Sequence, residues 1–154
     1  MGLFNSINIA GTGLTAQRMR SDVIADNIAN VNSTRRSDGG MFQRGRVILK
    51  PRGAEPYWRS PFLPEGMNQG ERKGVRVAEI EKDDSPPRRV WDPTHPDALK
   101  TGEWEGYVEY ANIDIVIEMT DMIDATRAYE ANAQVIEGSK AMFQRALDIG
   151  GSAR

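Results

Sequence analysis

The 154-residue chain has no cysteine, which excludes disulfides and thiolate zinc sites and leaves its redox compartment open. It has one histidine, with no set of converging donors around it such as a metal site of three or four ligands requires. No run approaches the roughly 20 apolar residues of a membrane span, so direct membrane insertion is not expected. The amino terminus lacks a basic stretch leading into an apolar one, so a cleaved Sec-type signal peptide is not expected and any export takes another route. Neither sign of charge dominates: 20 basic residues face 22 acidic ones, a net of −2. That balance gives nucleic acid or an anionic membrane nothing to grip. Proline and tryptophan are missing from both ends; all eight prolines fall between Pro51 and Pro96, and the three tryptophans are Trp58, Trp91 and Trp104.

The two proline-free ends carry helical periodicity instead. Ile115, Met119, Met122, Thr126, Tyr129, Ala133, Ile136, Lys140, Phe143 and Leu147 alternate at spacings of four and three, a heptad seam on one long helix. Leu3, Ile7, Ala10, Leu14, Gln17, Ser21, Ile24, Ile28 and Val31 form a weaker series of the same kind. Gly11 and Gly13 each cost that first helix about 1 kcal/mol relative to alanine, which predicts a kink or fraying in its first third. It should stop near Asn30 to Asn32. Asn112 or Asp114 can cap the second helix, acids load its early turns, Lys140 and Arg145 sit late, and Gly150 and Gly151 suit its end.

Between the ends, fixed φ angles and missing donors make long helices improbable. Short strands are predicted at 46–50, 75–82, 88–92 and 107–111, with turns over 61–74. The division is therefore an N-terminal helix at 1–34, a small irregular β-rich module at 35–110, and a C-terminal helix at 111–150. The expected fold class is α+β, the long terminal helices pairing as a coiled coil. The length suits about one domain.

Chemistry-bearing patterns are few and lack their contexts. Gly11-Thr12-Gly13-Leu14-Thr15-Ala16 fits a dinucleotide loop, yet no second apolar strand ending in an acid follows within about 20 residues. His95-Pro96-Asp97 is flanked by Pro93 and a strand rather than by two helices, and is expected to be a turn. Asp83-Asp84 reads as solvated loop charge, and Asn32-Ser33-Thr34 as a sequon with no secretory context. There is no G-x-S-x-G elbow. No catalytic, cofactor-binding or metal-binding residue is assigned, and no cofactor is expected.

Three runs then say more than periodicity does. Leu3-Phe4-Asn5-Ser6-Ile7, Leu14-Thr15-Ala16-Gln17-Arg18 and Asn27-Ile28-Ala29-Asn30-Val31-Asn32-Ser33-Thr34-Arg35 resemble the start shared by bacterial flagellar rod and hook proteins. The run from Glu118 to Asn132, with Asp121, Thr126, Arg127 and Tyr129, resembles the partner signature of that family. Gly39-Gly40, Gly74-Val75-Arg76-Val77, Asp92-Pro93-Thr94-His95-Pro96-Asp97-Ala98 and Gly106-Tyr107-Val108 are similar to its proximal-rod members. Departures are local: Ala111 stands where many relatives have proline, 100–105 looks like a small insertion, and Gly138 interrupts the second helix.

The resemblance implies a structural subunit of the cell-proximal rod, a helical tube carrying torque from motor to hook across the periplasm. It implies terminal helices in the inner wall with the β module outside, and export without cleavage by the flagellar type III apparatus. Its expected partners are other rod proteins, copies of itself, MS-ring/rod adaptor proteins and that export apparatus. The expected assembly interface comprises Leu3, Ile7, Leu14, Ile24, Ile28, Val31, Ile115, Met119, Met122, Ile123, Tyr129, Val135, Ile136, Met142, Phe143 and Leu147. Ile123, Val135, Met142 and Ile149 lie off the main seam and supply a second apolar surface for neighbours. With little area offered by the middle module, the ends are expected to order on assembly. The alternatives are a coiled-coil adaptor or chaperone and a small nucleotide-binding α+β enzyme.

Overall fold

A computed structural model describes residues 3–35, 40–52 and 73–151. Helix α1 spans Leu3–Ala29; strands β1 (Gly45–Pro51), β2 (Val75–Lys82), β3 (Arg88–Trp91) and β4 (Tyr107–Tyr110) follow; helix α2 spans Ile115–Gly151. The strands form two separate antiparallel hairpins, β1–β2 and β3–β4. The architecture is α+β with long terminal helices and a small antiparallel β region, and the strands lie within a residue of the predicted ranges. Of the expected 61–74 turns, all but 73 and 74 lie outside the described residues, as does Gly39. Among the described residues no helix is long and apolar enough to cross a membrane.

Local chemistry sets the helix ends. After Ala29, Ser33 N–H donates to Asn30 O and Asn30 Nδ2 donates to Asp26 O at 3.0 and 2.9 Å, turning the chain out of α1. Asp114 caps α2: its Oδ1 accepts the Val116 N–H at 2.8 Å, a contact worth about 1 kcal/mol. Both helices are continuous past these glycines, α1 through Gly11 and Gly13 and α2 through Gly138. Gly13 has a packing reason, because a Cβ there would lie 2.8 Å from Asn132 Oδ1 of α2.

The helices lie antiparallel. Phe4 meets Phe143 edge-on at 5.8 Å between ring centroids, Gly13 meets Asn132, Arg20 pairs with Asp121 at 2.8 Å, and Asn27 bonds Glu118 at 3.0 Å. The packed stripe of α2 differs from the predicted seam. Its buried residues are Glu118, Ala125 and Ser139, each one position before Met119, Thr126 and Lys140, which are exposed. One residue is about 100° of helix rotation. Small and polar side chains face the α1 surface, and at Gly13 the Asn132 amide fills the space a side chain would take. The larger seam residues Met122 and Ile136 are left half-buried beside the contact, and Tyr129 and Phe143 lie at its exposed rim.

α1 follows its predicted series more closely: Ala10, Ile24 and Val31 are buried, and Ile7, Leu14, Gln17, Ser21 and Ile28 half-buried. Ala16 and Asn27 are buried off that series because α1 is packed on a second side. The β1–β2 hairpin lies against it, with Val75 N–H donating to Thr12 Oγ1 at 3.1 Å and Gly45 N–H to Asn27 Oδ1 at 2.8 Å. The pairing runs from Gly45 opposite Lys82 to Pro51 opposite Val75, with a register shift between Ile48 and Leu49. Where the chain leaves α1 and enters α2, Val31, Phe42, Ala111 and Ile113 form a small apolar cluster.

Candidate assembly surface

A buried polar knot ties three elements together at one end of the helix pair. Asn27 of α1 offers both amide atoms to Gly45 of β1: Oδ1 accepts its N–H at 2.8 Å, and Nδ2 donates to its carbonyl at 2.9 Å. The same Nδ2 donates to Glu118 Oε2, while Arg44 Nε donates to Glu118 Oε1 at 2.6 Å. Arg44 also lies 3.6 Å from Asp121, which Arg20 holds from α1. Glu118 is 1% exposed. A buried carboxyl survives only when its oxygens are this well occupied. The knot therefore sets how α1, α2 and β1 register, with both oxygens of Glu118 hydrogen-bonded.

The remaining polar groups do loop work. Asp83 accepts the hydroxyl and N–H of Ser85, and these bonds hold its carboxyl below the usual carboxylate range. Thr94 does the same for Asp92. His95 Nδ1 accepts the Asp97 N–H at 3.1 Å within a turn, and Asp97 accepts Thr34 Oγ1 at 2.8 Å, fastening the end of α1 to that loop. Among the described residues no three His, Asp or Glu side chains are grouped to hold a metal ion. Residues 11–16 lie in the interior of α1, so no strand precedes them and no helix N-terminus faces a pyrophosphate. The dinucleotide reading is thereby corrected.

What the fold leaves exposed is apolar helix surface. Val116, Met119 and Ile123 on one flank of α2, and Val135, Met142 and Ile149 on the other, are each at least 50% exposed. The second set repeats every seven residues, a straight stripe along the helix. From Lys140 to the end of α2 every residue is exposed, Leu147 among them. Of the expected interface residues, Ile115, Met119, Ile123, Tyr129, Val135, Met142, Phe143 and Leu147 are exposed, and Ile7, Leu14, Ile28, Met122 and Ile136 half-buried. Ile24 and Val31 are buried within the subunit. The side chain of Leu3 lies outside the described residues. Val116, Ile117 and Phe4 are large exposed apolar residues that the periodicity passed over; three successive apolar residues at 115–117 cannot all face one partner. Asn27 and Glu118 were missed as a pair, though each stands inside a run that carries the resemblance.

Residues 7–36 match the model of the flagella basal body rod protein family, and residues 105–149 the C-terminal model of flagellar basal body rod FlgEFG proteins. The flagellar basal-body rod protein FlgC of Borreliella burgdorferi is 56% identical over 149 residues, covering 97% of this chain and 98% of its own. The FlgC of Bacillus subtilis is 39% identical over 158 residues, with 97% and 99% covered. That of Yersinia enterocolitica is 35% identical over 150 residues, again with 97% and 99% covered. With these identities spanning nearly the whole of each chain, and with two terminal helices flanking two hairpins, the chain belongs to the FlgC family of flagellar basal-body rod proteins, structural subunits of the flagellar rod.

Proposed function

We propose that this subunit sits in the cell-proximal rod and assembles helically with copies of itself and other rod proteins, so that torque passes from motor to hook. The observation that carries this reading is the pair of apolar stripes on α2 that the intramolecular contact with α1 leaves outside. Each of those side chains still has about half its surface to bury, worth roughly 1 kcal/mol apiece. A surface that differs from the one it meets on the next subunit yields an open helical array wherever the rotation between subunits does not close into a ring. In this reading α1 and α2 form a coiled-coil inner wall, residues 35–110 are the outer module, and the exposed members of the predicted interface contact neighbours. MS-ring/rod adaptor proteins meet its cell-side end. The type III apparatus exports it uncleaved to the periplasm.

Ile123→Asp or Val135→Asp should stop rod assembly and motility while the isolated chain keeps its far-UV circular dichroism. Swimming cells with either variant would reject the flank as an interface. An adaptor or chaperone of the same fold would remain a discrete monomer or dimer at every concentration in sedimentation, a result that would favour that alternative.

A further inference from the structure

The β1–β2 hairpin is charged oppositely at its two ends. Lys50 and Arg76 stand directly opposite each other, and Arg52 and Lys73 continue the cluster past them; all four side chains are exposed. Like charges facing each other across a strand pair repel. No salt bridge among the described residues reaches any of the four. The segment joining the strands, 53–72, has three acids against two bases, too little to balance four cations. At the other end Glu79, Glu81, Asp83 and Asp84 outnumber Arg46 and Lys82, and Glu79, Glu81 and Asp84 are exposed. The Arg44 guanidinium beside them is held by Glu118.

The two ends do not neutralise each other within one subunit. The hairpin is bonded to α1 at Thr12 through Val75 and at Asn27 through Gly45, which sets its ends about 22 Å apart along the helix. That is more than twice the Debye length of about 8 Å at physiological salt. The ladder is paired from Gly45 opposite Lys82 to Pro51 opposite Val75, so the hairpin cannot fold one end onto the other. A second copy displaced by the same distance along the helix axis brings its acidic end level with the basic end of the first. α1 continues from Thr12 to Leu3 and α2 from Asn132 to Gly151, so that neighbour stands alongside rather than end to end. Each subunit presents both halves of such a contact, and it repeats from copy to copy.

We propose that the basic end of the β1–β2 hairpin, Lys50, Arg52, Lys73 and Arg76, docks on the acidic end of the same hairpin in a neighbouring copy, a staggered lateral contact. It rests on the assembly reading but not on the α2 flanks. Because the chain has no cysteine, introduced thiols report the contact directly. Pro51→Cys marks the basic end and Pro86→Cys the acidic end, both at exposed positions. Within one subunit they stand too far apart for a disulfide, which needs Cα atoms within about 7 Å. With both substitutions in one full-length chain, mild oxidation of isolated basal bodies should give a ladder of disulfide-linked multimers; with either alone the chain should stay monomeric. A dimer from either single variant would show a two-fold contact, and an unlinked doubly substituted chain in intact basal bodies would show none. Each result overturns the proposal and leaves the assembly reading standing, whereas an unsubstituted chain missing from basal bodies would overturn both. Independently, Lys50→Glu with Arg76→Glu should cut the number of swimming cells at least about tenfold. Adding Glu79→Lys and Asp84→Lys to that chain reverses both ends and should restore swimming. Normal swimming with the first pair, or no recovery with all four in a chain of unchanged circular dichroism, would also overturn the contact.

Discussion

Asn27, Arg44 and Glu118 behave as one unit, and removing any of them strands the others. Glu118→Ala deletes the acceptor of Arg44 Nε and of Asn27 Nδ2, leaving Asn27 buried without it and Arg44 21% exposed. The loss expected in urea denaturation is about 3–5 kcal/mol. Glu118→Gln keeps the shape and one acceptor oxygen and should cost less, about 1.5–3 kcal/mol. Equal effects from the two variants would show that the side chain matters only as filler. The loop aspartates respond to acid in a stated direction. Asp83 and Asp92 have folded-state carboxyls held below 3.8 by hydroxyl and amide donors. Their contribution is therefore present above that pH and is lost as pH falls through the folded values. Both sit in half-buried surface turns where solvent screens them, so the effect on stability is small. Carboxyl-carbon NMR titration should place their midpoints lower than that of an ordinary aspartate.

Two glycines that look alike in sequence have opposite consequences for their helices. Gly138 of α2 has nothing within 4 Å of an added Cβ, so Gly138→Ala removes only conformational freedom and should stabilise the protein by about 0.5–1 kcal/mol. Gly13→Ala would push into the Asn132 amide, which is bonded to Ala128 O at 2.8 Å, and should destabilise by about 1–3 kcal/mol. Thermal melts moving in the same direction for both would contradict the close approach of α1 and α2. The position of that approach was not readable from periodicity. A run that is apolar at 115, 116, 117, 119, 122 and 123 defines a helix well but leaves its rotation open, since neighbouring stripes score alike. Rotation is settled by where small residues let two backbones meet, a property of the pair. The strands were readable because Val, Ile and Tyr runs end at Pro, Gly and Asp, and each hairpin needs only local pairing.

Taken whole, the subunit is unevenly fastened. One pole holds the Glu118 knot, the β1 contact and the Val31–Phe42–Ala111–Ile113 cluster; the other has the Phe4–Phe143 contact and then exposed helix. Amide hydrogen exchange in the free chain should be slowest at 118–132 and fastest beyond 143, in step with local burial. Uniform protection along α2 would mean that its far end is covered in the free protein. The class of fold and the family could be anticipated from the two terminal runs. The knot could not, because a lone Asn and a lone Glu 91 positions apart carry no mark of meeting.

That separation has an effect on the order of events as the polypeptide is synthesised from its first residue. Arg20 waits for Asp121, 101 positions later, and Phe4 waits for Phe143. The leading helix can meet the β1–β2 hairpin once residue 75 is present, but its α2 mate arrives only when almost the entire chain has been made, and contacts so remote in sequence are slow to close. A half-made molecule therefore lacks its helix pair, and stiffens only on completion.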